Sequence, residues 1–141
     1  MKKVLLFLSL FALLSCSSEK HITDTVITHE AEINAVAKKL FRRHFTETIA
    51  GLNDLENDLT KKEMRLLKYK LRCEEVQLIY KSEDPENADS LVVFTRGGIW
   101  QNEHTVVVDM RKVPRKTMPP GLIKIMERIY YRKVMASLPI S

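Results

Sequence analysis

Two thiols, four imidazoles and one acidic run hold most of the chemistry that this 141-residue chain offers. The cysteines are Cys16 and Cys73. Cys16 stands where an aliphatic run stops and polar sequence begins, a place open to a core thiol, half of a disulfide, a nucleophile or a point of attachment. A nucleophilic thiol needs a nearby base and a lowered pKa. His104 and Asp109 are available to Cys73, but no spacing ties them to it. The histidines at 21, 29, 44 and 104 show no HExxH and no helical pair four residues apart, so no metal site is expected. His44 falls at the edge of an apolar helical face, where a hydrogen-bonded core-edge imidazole is expected. Glu83, Asp84, Glu86 and Asp89 form a solvated acidic loop. A calcium loop would need glycine at its turn, and this one has Pro85. Gly97-Gly98-Ile99-Trp100 reads as a hairpin loop with Trp100 folded over a sheet. No catalytic residue and no cofactor is predicted, and the chain is read as a non-enzyme.

The charge is unevenly distributed. Residues 17–110 carry 13 basic and 17 acidic side chains, whereas residues 111–141 carry 8 basic and 1 acidic. A local basic patch points to an anionic surface or partner. Its members are Arg111, Lys112, Arg115 and Lys116, followed by Lys124, Arg128 and Arg132 at four-residue steps. Those steps form one helical stripe beside an apolar face of Leu122, Ile125, Met126 and Ile129, with Tyr130 and Tyr131 on the flank. A helix of that kind suits anionic lipid or an acidic protein surface.

The N-terminus opens with Lys2 and Lys3, followed by the apolar run Val4 to Leu14, broken only by Ser9. As a helix the run reaches roughly 17 Å, too short for the ~30 Å hydrocarbon core of a bilayer. A positive start, a short apolar middle and small residues at its end describe a secretory signal. Leu13-Leu14-Ser15-Cys16 resembles the lipobox of bacterial lipoprotein precursors, with Leu14 where a smaller residue is usual. The resemblance covers the first 16 to 18 residues. It implies cleavage between Ser15 and Cys16 and a diacylglycerol on the Cys16 thiol. It implies a cell-envelope location, and Ser17 favours the outer membrane over the inner. Two or more acyl chains, at about 0.8 kcal/mol per buried methylene, anchor a protein stably. An exported, tethered chain has little occasion to meet nucleic acid.

The rest is expected to form one small domain over residues 29–141, joined to the anchor by a polar tether over residues 16–28. Thr28 reads as an N-cap, and Ile33, Val36, Ala37, Leu40, Phe41 and Phe45 recur at helical steps, with Lys38, Lys39, Arg42 and Arg43 on the other face. Thr60 and Glu63 form a capping-box pair ahead of a second helix over residues 61–74. Strands follow near Val76–Tyr80, Ser90–Arg96 and Glu103–Met110. A last helix is predicted over residues 121–136. The expected fold is α+β: two N-terminal helices, a three-stranded antiparallel meander and a C-terminal amphipathic helix. The expected role is a small non-catalytic binding or accessory module at the membrane, with an envelope protein as possible partner. The alternatives are a small envelope enzyme using Cys73 or His104, or an immunity or inhibitor-type lipoprotein.

Overall fold

The computed structural model describes residues 19–42, 49–79, 90–96, 103–116 and 121–134. Residues 19–28 form helix α1, and Glu30–Arg42 forms α2. Amides bridge the join between them: His29 N–H donates to Thr25 O and Ile33 N–H to His29 O, each at 2.9 Å. Ile22, Val26, Ile33, Val36, Ala37 and Leu40 are all buried, a single apolar stripe at three- and four-residue steps through both helices. In α2, Glu30 and Glu32 lie in the first turn and Lys39 and Arg42 in the last, the order the helix dipole favours.

Strand β1 (Ile49–Gly51) leads into a 3₁₀ turn at Leu52–Leu55. Helix α3 (Lys61–Arg65) continues as a π turn at Leu66–Lys70. Then come β2 (Glu75–Ile79), β3 (Leu91–Arg96), β4 (Glu103–Asp109), β5 (Ile123–Lys124) and β6 (Ile129–Val134). They form one antiparallel sheet in the order β1-β2-β3-β4-β6-β5. The register aligns Val76, Phe94, Val106 and Tyr131 across four strands, and Leu78, Val92, Val108 and Ile129 in the next row. These residues share one core with the helices and with Leu52, Leu55, Leu59, Leu66 and Leu67. On the opposite sheet face Leu91, Val93, Val107 and Tyr130 form a smaller cluster with Ile79 and Leu122 against it.

This architecture corrects the expected one. Helices and strands both occur, but the sheet has six strands, not three. The last helix expected over residues 121–136 is absent: its described part, residues 121–134, is the β5–β6 hairpin. Ile123, Ile129, Tyr130 and Tyr131 are strand formers. Ile129 and Tyr131 pack under the helices while Tyr130 packs on the other face, so burial on both sides hides the alternation that marks a strand. Pairing with β6 also covers the edge that β4 would otherwise expose. Likewise, residues 19–28 of the expected tether are helical, with Ile22 and Val26 in the core. The second helix ends by Lys70, and Cys73 lies beyond it. Ser15 and Cys16, the acidic run 83–89, His44 and Gly97 to Trp100 lie outside the described residues.

Candidate functional site

The C-terminal half of α2 faces the end of β4, and between them runs a groove of about 530 Å³. Asn34, Lys38 and Arg42 stand at four-residue steps on α2, so they form one row along the helix. Phe41 flanks that row. Met110, Arg111 and Lys112, just past β4, form the facing wall with Arg128.

Two side chains build that wall. Asp109 is fully buried, and its carboxyl oxygens accept from two backbone amides: Arg111 N–H at 3.1 Å and Arg115 N–H at 2.8 Å. Its own N–H donates to Arg128 O at 2.8 Å. Arg128, in the turn of the β5–β6 hairpin, returns its guanidinium to the same loop. It donates to the carbonyls of Asp109 at 3.2 Å, Arg111 at 2.5 Å and Lys112 at 3.1 Å. The loop backbone is thus held from both sides, by an acceptor at Asp109 and a donor at Arg128.

That arrangement concentrates positive charge. Among the described residues, no carboxyl group forms an ion pair with Lys38, Arg42, Arg111, Lys112 or Arg128. Asp109 lines the groove, but both of its oxygens are engaged by amides. Asn34 Oδ1 is buried and has no hydrogen-bond partner among the described residues. The groove therefore offers several cationic donors and an apolar wall from Phe41 and Met110.

The basic residues singled out by sequence divide into two groups. Arg111, Lys112 and Arg128 line the groove. Arg115 is half-buried and contributes its backbone N–H to Asp109, and Lys116 is exposed. Lys124 and Arg132 are exposed on the other side of the sheet: Lys124 lies in register with Tyr130, and Arg132 is two residues further along β6. The stripe of Lys124, Arg128 and Arg132 existed only for a helix, and the hairpin dissolves it. Asn34, Lys38 and Arg42 were missed as site residues because the basic face of a surface helix is normally just solvated. Their four-residue spacing was the available signal.

The thiol and imidazole candidates sit elsewhere. Cys73 is buried, its Sγ–H donates to Glu75 O at 3.2 Å, and burial pushes its pKa up to about 12. Such a thiol is a poor nucleophile at neutral pH. His104 lies on β4 opposite Arg96, whereas Cys73 precedes β2, two strands away. His104 Nδ1 and Tyr131 Oη share a hydrogen bond at 2.6 Å. Burial, with the Glu19 charge adding to it, pushes the buried Tyr131 phenol up to about 12. No group of three or more His, Cys, Asp or Glu among the described residues is placed to hold a metal ion. No described helix is long and apolar enough to cross a membrane.

Compared with known proteins, the chain matches no family model, no curated protein and no solved structure.

Proposed function

We propose that the chain is a lipid-anchored protein of the bacterial cell envelope, held through Cys16 and acting as a small non-catalytic binding module. The location rests on Leu13-Leu14-Ser15-Cys16 and on Ser17, which favours the outer membrane. The recognition surface is the groove between α2 and the loop after β4. The observation that supports it is the convergence of Lys38, Arg42, Arg111, Lys112 and Arg128 on one concavity without a pairing carboxyl group among the described residues. Its partner is an envelope component that carries negative charge.

Two measurements test this reading. Metabolic labelling with a fatty-acid analogue marks the wild-type chain and not Cys16→Ala; label that persists in the variant removes the anchor. Charge reversal at Lys38 and Lys112, both exposed, abolishes co-purification of crosslinked envelope partners; an unchanged partner set removes the groove.

A further inference from the structure

We infer that Arg65, Lys68, Tyr69 and Lys70, at the end of α3 and on its π turn, form the face that rests on anionic lipid of the membrane carrying the chain. The inference rests on the anchor at Cys16 and adds which face of the domain that anchor brings to the headgroups. Residues 61–72 hold six basic side chains and one acidic, Glu63, whose carboxyl is taken by Lys39 and by the Thr60 amide. Lys62 pairs with Glu32, whereas Arg65, Lys68 and Lys70 pair with no carboxyl group among the described residues. Leu66, Leu67 and Leu71 are buried, so the π turn sends Lys68, Tyr69 and Lys70 outward together. Tyr69 is 65% exposed, and Lys68 Nζ lies 5.8 Å from its ring centroid. The ring stands between two shallow depressions of about 390 and 340 Å³, lined by Leu59 and Met64 on one side and Leu66 on the other. A phenol flanked by cations suits the headgroup layer, where the ring meets the apolar boundary and each Lys or Arg meets negative charge. Position selects lipid over a soluble partner. Lys70 O is 3.2 Å from His21 Nε2 in α1, and Cys16 is only five residues before His21. On α1 itself the exposed Lys20 and Asp24 offset each other, so the net positive charge of this end comes from the π turn.

The test is amine footprinting of the lipidated chain with a water-soluble acetylating ester, read by mass spectrometry. The chain is placed in vesicles of pure phosphatidylcholine and in vesicles containing about 30% phosphatidylglycerol. Lys68 and Lys70 are expected to react at least about tenfold more slowly in the anionic vesicles, with Lys38 and Lys112 of the groove unchanged between the two. Salt at about 1 M should remove the difference, because screening then acts within about 3 Å. Arg65→Gln takes away one exposed charge and is expected to lower the protection about fivefold. Tyr69→Ser, also at an exposed position, is expected to lower it without any change in charge. Lys68 and Lys70 equally reactive in both vesicles, on a chain whose mass shows diacylglycerol at Cys16, would overturn the surface and leave the anchor standing. A mass without that lipid removes the anchor, and the membrane assignment falls with it. Protection of Lys38 and Lys112 instead makes the groove the lipid contact and refutes the inference. Protection in isolated envelopes but in neither vesicle assigns the surface to a protein partner and refutes it equally.

Discussion

Arg72 has φ of +53°, the left-handed region that a β-carbon disfavours. It is there because the chain turns back at the end of the π turn, where Cys73 N–H donates to Leu67 O, six residues earlier, at 2.8 Å. Glycine is the usual residue at that position, so Arg72→Gly is expected to be at least as stable as wild type in urea denaturation. A branched β-carbon fits worst, and Arg72→Val is expected to lose about 1–2 kcal/mol. Next to it, Cys73 links stability to pH. Its thiol has an ordinary value of 9.0, and burial pushes it up to about 12. Folding therefore favours the protonated thiol: the contribution is complete below pH 9 and is lost as pH climbs toward 12. Tyr131, raised from 10.0 to about 12 by burial, acts in the same direction. Urea midpoints measured from pH 8 upward should fall through this range, and Cys73→Ala should flatten part of the slope. The same burial predicts that iodoacetamide leaves native Cys73 unmodified at pH 8 and labels it on unfolding.

At the scale of elements, the start of α3 was legible because its signal is local. Glu63 N–H donates to the Thr60 hydroxyl at 3.2 Å, and Glu63 Oε2 accepts from Thr60 N–H at 2.7 Å and from Lys39 Nζ at 2.8 Å. Desolvation pulls the Glu63 pKa up, but these bonds outweigh it and leave the carboxyl lowered. Its contribution is therefore present above the ordinary value of 4.5 and is lost as pH falls below it. Thr60→Ala should cost about 1 kcal/mol in denaturant melts. Strands β2, β3 and β4 were legible for a similar reason, since runs such as Leu91–Phe94 and Val106–Val108 carry strand propensity in themselves. The β5–β6 hairpin was not. Leu122, Ile125, Met126 and Ile129 fit a helical face, and only the unpaired edge of β4 decides for a strand, a fact about partners 20 or more residues away. The same limit hid the groove, because Lys38 and Lys112 approach each other only once the sheet is closed. Its wall should depend on Asp109: Asp109→Asn keeps one acceptor oxygen but sets its NH2 donor against the other backbone N–H, and should cost about 1–3 kcal/mol. It should also weaken anion binding, read by calorimetric titration with inorganic phosphate.

For the molecule as a whole, helical structure at Glu19, three residues beyond Cys16, changes how an anchor at Cys16 would hold the domain. A 12-residue tether would let the domain tumble over ~40 Å, but the step from Cys16 to Glu19 spans at most about 11 Å. An anchor at Cys16 would then hold the domain close to the bilayer by the N-terminal end of α1. That end is near Tyr131, on which the Glu19 charge acts, and near Lys70, whose carbonyl meets His21 Nε2 at 3.2 Å. The groove is at the other end: from Glu19 to Lys38 the two helices rise up to about 28 Å, and Met110 and Lys112 lie past the C-terminal end of β4. With an anchor at Cys16, a site at that pole would face away from the membrane, which would favour a partner in the aqueous envelope over the lipid headgroups beneath it. Spin labels at Lys20 and Lys112 of the lipidated chain in liposomes would separate the two arrangements. Lipid-dissolved oxygen should relax the label at residue 20 more strongly, and a water-soluble nickel complex the label at residue 112. Equal oxygen relaxation at both sites would mean that the domain lies flat, and the basic groove would then be a lipid contact.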